Sequence, residues 1–108
     1  MNMFYQLRAA NKVRKHEWDP EGKITPEYLG NALAGEVGEA CNVVKKLARK
    51  RLGLRGSEGS VGALGQELAD VIIYADLLAA EFNIDLGFKI REKFNATSDK
   101  YGLKTKLG

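Results

Sequence analysis

Helix breakers divide this chain of 108 residues into four segments, and no segment alternates polar and apolar residues over a useful length. Such alternation is the pattern of a half-buried strand, so its absence favours helices. The breaks fall at Pro20, in the glycine-rich stretch 53–59 and at Asn83, because proline and glycine disfavour helix continuation. We therefore predict an all-α fold of the four-helix-bundle type. The predicted helices cover residues 2–16, 25–52, 60–82 and 85–98.

Local signals support the helix starts. Thr25 suits an N-cap and Pro26 the first helical position, and Asp85 is a weaker N-cap candidate. The length suits one domain spanning residues 1–108, of which the basic tail 102–108 is expected to be flexible. A chain this short buries only a modest core, so burying a helix face against a second copy would add stability.

Composition excludes several classes of protein. The single cysteine, Cys41, excludes an internal disulfide framework and a cysteine-rich zinc module. We find no secretory signal and no apolar run of membrane-spanning length, so we predict a soluble, cytoplasmic protein with no membrane partner. The net charge of +3 suits a polyanionic ligand but is too small to indicate nucleic-acid binding.

The second and third predicted helices each carry a pair of carboxylates beside an apolar stripe. Glu36 projects from inside the stripe of the second helix and Glu39 lies at its edge. Glu67 and Asp70 lie beside the stripe of the third helix, and Tyr74 follows one turn later on the same side. One such pair alone is usually a solvated surface feature, but a glutamate on a core-facing stripe is unusual.

An antiparallel hairpin of these two helices could bring the four carboxylates together. At about 5 Å and an effective dielectric constant near 20, each like-charge pair costs roughly 3 kcal/mol. Protonation could offset this repulsion, but a hard divalent cation is the more natural solution. Mg²⁺ takes oxygen ligands and commonly bridges protein carboxylates to substrate phosphates. The pattern therefore predicts a Mg²⁺-phosphate site, in which Mn²⁺ is a candidate substitute.

These residues resemble a known family. Residues 35–40 read GEVGEA and residues 67–74 read ELADVIIY, which is similar to the E-x-x-E, spacer, E-x-x-D pattern of the MazG-like all-α NTP pyrophosphatases, relatives of dimeric dUTPases and dCTP pyrophosphatases. The resemblance implies hydrolysis of a nucleoside triphosphate to the monophosphate and pyrophosphate by a helical homodimer or homotetramer. It makes Glu36, Glu39, Glu67 and Asp70 the metal ligands and catalytic residues, with one of them, such as Glu39, available to orient or deprotonate water.

The same resemblance suggests substrate contacts. Tyr74 matches a tyrosine near the nucleotide in dCTP-preferring relatives, and an exposed Trp18 could stack on a base, although packing is the simpler role for Trp18. The family's last helix often ends in a phosphate-contacting signature, which here corresponds to Lys93, Asn95 and Lys100. The asparagine falls earlier than in those relatives, and lysine replaces the usual arginine, which loses the bidentate fork.

The sequence leaves other interpretations open. A di-iron bundle needs Glu-x-x-His pairs, and the only histidine, His16, lies outside the motif helices. A non-catalytic helical module binding protein or nucleic acid predicts that Glu36 and Glu67 are exposed or paired with Lys or Arg. A third alternative is a member of the same fold that has lost its activity. The basic run of residues 45–55 is either a solvated helix end complementing the macrodipole or a phosphate-steering rim.

Overall fold

The chain folds into helices joined by short connections, as seen in a computed structural model that describes residues 2–56 and 58–108. The helices are α1 (Met3–Trp18), α2 (Pro26–Arg51), α3 (Val61–Glu81) and α4 (Leu86–Lys100). The described ranges contain no strand. The all-α prediction is therefore confirmed, and the predicted boundaries lie within two residues of the observed ones.

A short polar side chain caps the start of each helix. The side chains of Asn2, Thr25, Ser60 and Asp85 each accept a hydrogen bond from a backbone N–H two or three residues later, at 2.8 to 3.2 Å. These caps satisfy donors that the first helical turn leaves free. The N-caps expected at Thr25 and Asp85 are confirmed. At the far end of α3, Asn83 takes the left-handed conformation with φ 54° and ends the helix.

Helices α2 and α3 form an antiparallel hairpin, which is the most extensive packing in the chain. Leu29 of α2 has no exposed surface and is the largest fully buried side chain among the described residues. Helix α1 packs against α3, and α4 packs against α1. Helix α3 therefore packs against both α1 and α2. None of the helices in the described residues has the length and apolarity required to cross a bilayer.

A buried polar cluster fixes α1 on α3. Asp76 of α3 is only 1% exposed. Its carboxylate accepts a hydrogen bond from the Arg8 guanidinium at 3.1 Å and one from the Asn11 amide at 3.0 Å. The Asn11 amide also donates to the Ile73 carbonyl, and Arg8 donates to the Ile84 carbonyl. Because each polar group has a partner, the cluster orients the two helices without leaving a buried charge unpaired.

The single chain exposes more surface than a compact domain of its mass. Its accessible surface is 7977 Å², against about 6,000 Å² expected for a folded monomer of this mass. Its radius of gyration is 17.1 Å, against about 13 Å for a compact domain of this length. Apolar side chains of α2 and α3 account for part of the excess, since about half of each remains exposed: Val37, Val44, Leu68 and Ile72.

Residues 102–108 lie along α4. The Asn95 amide donates to the Leu107 carbonyl at 3.0 Å, and its carbonyl oxygen accepts from the Leu107 N–H at 2.7 Å. Arg91 donates to the Gly108 carbonyl at 3.0 Å, and Lys106 pairs with Asp99. The chain thus has a defined position here. The expected flexibility of residues 102–108 is a question of motion rather than of position, and it stays a prediction.

Candidate metal and nucleotide site

Three carboxylates converge between α2 and α3. Glu36, Glu67 and Asp70 each offer one oxygen, and these oxygens lie within 4.8 Å of one another. The hairpin explains the convergence, because Glu36 lies opposite the turn of α3 that carries Glu67 and Asp70. The spacing of three residues places those two acids one above the other on the same face of α3.

Two oxygens of this cluster are shielded from water and lack a protein donor. Among the described residues, Glu36 Oε2 and Glu67 Oε2 are buried side-chain oxygens with no hydrogen-bond partner. Burial raises the pKa of Glu36, and the charges of Glu39 and Asp70 raise it further. Burial also raises the pKa of Glu67. A hydrogen bond with the Glu39 side chain and the charges of Glu39 and Asp70 raise it further. A buried carboxylate normally has a donor or a cation beside it, so this cluster lacks a positive partner.

The donor set fits a hard divalent cation. The three ligands offered are carboxylate oxygens, with no histidine or cysteine among them. Oxygen ligands suit Mg²⁺ and Mn²⁺, whereas imidazole and thiolate favour zinc or iron. The two shielded oxygens are the atoms that a bound cation would satisfy. The residues present therefore fit the metal that the sequence predicted.

Glu39 lies one turn after Glu36 and differs from the other three acids. Its side chain is exposed, whereas Glu36, Glu67 and Asp70 are each partly buried. It is not one of the three residues whose oxygens converge, yet it lies close enough to raise the pKa of both Glu36 and Glu67. Glu39 therefore lies beside the cluster, and its role as a metal ligand stays a prediction.

Two predicted substrate contacts are aromatic. Tyr74 is partly buried on α3, one turn after Asp70 and on the same face. Trp18 is the last residue of α1, and 44% of it is exposed. Its ring is therefore partly available for a stacking interaction.

The comparison with known proteins identifies the domain. Residues 24–106 match the MazG nucleotide pyrophosphohydrolase domain, which covers well over half of the chain. The chain belongs to this family. It is also 35% identical over 86 residues to dCTP pyrophosphatase 1 from Homo sapiens, a match covering 79% of this chain and 51% of that protein. The chain thus spans about half the length of this curated relative. No solved structure matches it significantly.

The predicted phosphate contacts on α4 of this MazG domain are not joined to the carboxylates within one chain. Lys93 and Lys100 are exposed, and Lys100 lies 5.4 Å from the ring centroid of Tyr101. The Asn95 amide bonds to the backbone of Leu107. No hydrogen bond or ion pair in residues 2–56 and 58–108 links these three side chains to the acidic cluster, and their roles stay predictions.

Sequence reasoning missed a cavity of about 430 Å³ between the ends of α1 and α3. It is lined by Leu77 and Glu81 of α3, by Lys15 and His16 of α1, and by the connection 19–22. Leu77 follows Asp70 by seven residues, so the cavity lies on the same face of α3, about 10 Å further along the helix. A partial signal existed, because Asp70, Tyr74, Leu77 and Glu81 follow one another at helical spacing.

Proposed function

We propose that this MazG domain hydrolyses a nucleoside or deoxynucleoside triphosphate to the monophosphate and pyrophosphate, in a reaction that depends on Mg²⁺ or Mn²⁺. The observation that carries the proposal is the convergence of Glu36, Glu67 and Asp70, with two shielded oxygens that have no protein partner. The family match supports the reaction class. Removal of unwanted nucleotides in the cytoplasm, where nucleoside triphosphates are consumed, is the task we assign to it.

Glu36, Glu67 and Asp70 are the residues proposed to hold the metal, with Glu39 completing the set or acting beside it. When bound, the cation supplies positive charge that neutralises the triphosphate and the developing charge on phosphorus. The three carboxylates fix the position of that charge because they project from two packed helices.

We propose Glu39 as the group that accepts a proton from the attacking water. Glu39 is exposed to solvent and lies beside the converging oxygens of Glu36, Glu67 and Asp70. A water molecule next to the cluster is therefore within its reach. The water oxygen forms a bond to phosphorus, the bond to the bridging oxygen breaks, and pyrophosphate leaves. A general base commonly contributes a factor of about 10²–10⁴ to the rate.

The nucleoside has space along the same face of α3. Tyr74 lies between Asp70 and the cavity lined by Leu77 and Glu81. A nucleotide whose phosphates contact the carboxylates could place its sugar beside Tyr74 and its base toward this cavity, with Trp18 as a stacking partner. The name of the human relative makes dCTP the first substrate to test.

A homodimer or homotetramer is part of the proposal. The chain exposes about 2,000 Å² more surface than a compact monomer of its mass, whereas a standard interface buries about 800 Å² per partner. A second copy against the apolar side chains of Val44, Leu68 and Ile72 would cover part of this excess. The same assembly could bring Lys93 and Lys100 of one copy to the phosphates bound by another.

The non-catalytic alternative is disfavoured by the acidic cluster. A binding module predicts that Glu36 and Glu67 are exposed or paired with basic side chains. Both residues are instead partly buried, and each has one oxygen without a partner in the described part of the chain.

The test is pyrophosphate release from a panel of ribo- and deoxynucleoside triphosphates, standard and modified, with Mg²⁺, with Mn²⁺ and with EDTA. We expect metal-dependent release from at least one nucleotide, with the monophosphate as the second product. Release of inorganic phosphate instead of pyrophosphate, or no turnover across the panel, would contradict the proposed reaction.

A further inference from the structure

A basic pocket lies at the end of α2, away from the carboxylates. The cavity measures about 230 Å³, and we call it the basic pocket because its lining residues include Lys46, Arg49, Lys50 and Arg55. Lys46 is partly buried, and the other three are exposed. Glu58 is the acidic residue in its lining, and it lies 3.9 Å from Lys50. With four positive charges and one negative charge, the lining carries a net charge of +3.

Two glycines allow the connection after α2 to form this pocket. A Cβ at Gly59 would lie 3.0 Å from both the Lys46 Cβ and the Val43 carbonyl oxygen, so the backbone here approaches α2 closely. A Cβ at Gly56 would lie 2.6 Å from Arg49 Nη1. Side chains at either position would enter the space that the loop and the helix now share.

The loop also positions Arg49. Its guanidinium donates to the Arg55 carbonyl at 3.4 Å, and the Leu54 N–H donates to the Arg49 carbonyl at 2.9 Å. The long hydrogen bond to Arg55 places the exposed Arg49 guanidinium beside the loop. Water and salt screen part of the repulsion between the mostly exposed cations of the basic pocket, and a bound anion would remove the rest.

The favourable interaction of basic residues with the helix macrodipole explains only part of the basic pocket. Positive side chains near a helix C-terminus are favourable, and this explains why the end of α2 is basic. Lys45 and Arg51 lie on the same part of α2 and do not line the cavity. The convergence of the other four cations on one concave space is a separate feature, and Lys45 and Arg51 provide a matched comparison.

We propose that the basic pocket binds a phosphate-bearing anion at a site distinct from the carboxylate cluster. Arginine offers paired N–H donors that match phosphate oxygens, and lysine adds compact positive charge. Lys46 follows Glu39 by seven residues, so it lies on the same side of α2, about 10 Å further along the axis. The phosphate belongs either to the substrate or its pyrophosphate product, or to a separate phosphate compound.

The test measures binding of pyrophosphate and of inorganic phosphate to the full chain in EDTA, where the carboxylates repel anions. We expect saturable binding that weakens about tenfold or more in the Lys46→Gln/Arg55→Gln variant. The Lys45→Gln/Arg51→Gln variant removes one lysine and one arginine from the same region and should bind within about twofold of the wild type. Equal weakening in both variants, or no saturable binding to the wild type, overturns the proposal.

The source of the phosphate is separated by turnover measurements. A raised KM for the nucleotide in Lys46→Gln/Arg55→Gln, with kcat unchanged, assigns the pocket to the phosphates of the substrate. An unchanged KM together with lost pyrophosphate binding assigns it to a separate phosphate compound. Because the binding assay contains no metal and needs no turnover, failure of the proposed hydrolase activity would leave this test intact.

Discussion

The guanidinium of Arg8 lies 3.1 Å from the carboxylate of Asp76, and that carboxylate is almost completely removed from water. The pair joins α1 to α3 across 68 residues of sequence. Both carboxylate oxygens of Asp76 have a hydrogen-bond donor, because the Asn11 amide binds the oxygen that Arg8 Nε does not. The orientation of α1 on the hairpin that carries the acidic cluster therefore depends on a few buried polar contacts.

Removing the cation from this pair should destabilise the fold strongly. We expect Arg8→Met to lower the free energy of unfolding by about 3–5 kcal/mol, because it leaves Asp76 buried with a single partner. Urea denaturation followed by circular dichroism measures the change. The control is Lys89→Met, which breaks an exposed pair with Glu92 and should change stability by less than about 1 kcal/mol. Similar losses in both variants would contradict the structural role of Arg8.

Neutralising one carboxylate of the cluster should separate activity from stability. Glu36→Gln should reduce turnover by about 100-fold or more, since it weakens the proposed metal site. In EDTA its Tm should rise above that of the wild type, because one of several repelling charges is removed. Mg²⁺ should raise the Tm of the wild type and have a smaller effect on the variant. Glu27→Gln, an exposed change in the first turn of α2, should leave turnover and the Mg²⁺ response unchanged.

Asp19 should make stability depend on pH in the acid range. The backbone N–H groups of Ile24 and Lys23 donate to its carboxylate and lower its pKa below 3.8. The stabilisation is therefore present above pH 3.8 and is lost as the pH falls through the lowered pKa. Asp19→Asn should lower the Tm at pH 7, and its difference from the wild type should shrink as the pH falls below 3.8. Glu21→Gln in the same connection is the control, and a difference that stays constant with pH would contradict the role assigned to Asp19.

Asn95 should restrain residues 102–108. Its amide exchanges two hydrogen bonds with the backbone of Leu107. Asn95→Ala should speed hydrogen exchange at Leu107 and increase protease cleavage after Lys104 or Lys106. Thr97→Ala, on the same helix, should change neither. Rapid exchange and cleavage already present in the wild type would support the flexible tail expected from the sequence.

Charging the exposed apolar face should disrupt assembly. Leu68→Asp/Ile72→Asp places carboxylates where a second copy is proposed to pack, so light scattering should report a shift toward the monomer. Val13→Asp adds charge at an exposed valine of α1 and should leave the assembly unchanged. A wild-type chain that is monomeric at micromolar concentration would contradict the proposed interface.

The sequence predicted the features that depend on neighbouring residues. Thr25 and Asp85 cap their helices as expected, because a cap is a contact over three residues. The convergence of Glu36, Glu67 and Asp70 follows from helical periodicity combined with one hairpin. The absence of Glu39 from the three converging residues did not follow, because the distances between these acids depend on how the two helices are rotated against each other.

Features that depend on distant packing escaped prediction. Asp76 is the only charged residue between Val71 and Ala80, but its pairing with Arg8 requires a specific angle between α1 and α3. The contact between Asn95 and Leu107 similarly depends on the direction of the chain after Gly102. The exposure of Leu68 and Ile72 could not be read from their apolar character, since it depends on which helices pack over α3.

The hierarchy of helix contacts has a consequence for the order of folding. Helices α2 and α3 are adjacent in sequence and pack most extensively, whereas α4 rests mainly on α1. Local contacts form with a small loss of loop entropy, so the hairpin can assemble early and α4 can dock last. Transient opening of α4 should then leave Glu36, Glu67 and Asp70 in place. Amide protons of α4 should exchange fastest, and those at the centre of α3 should exchange only on global unfolding.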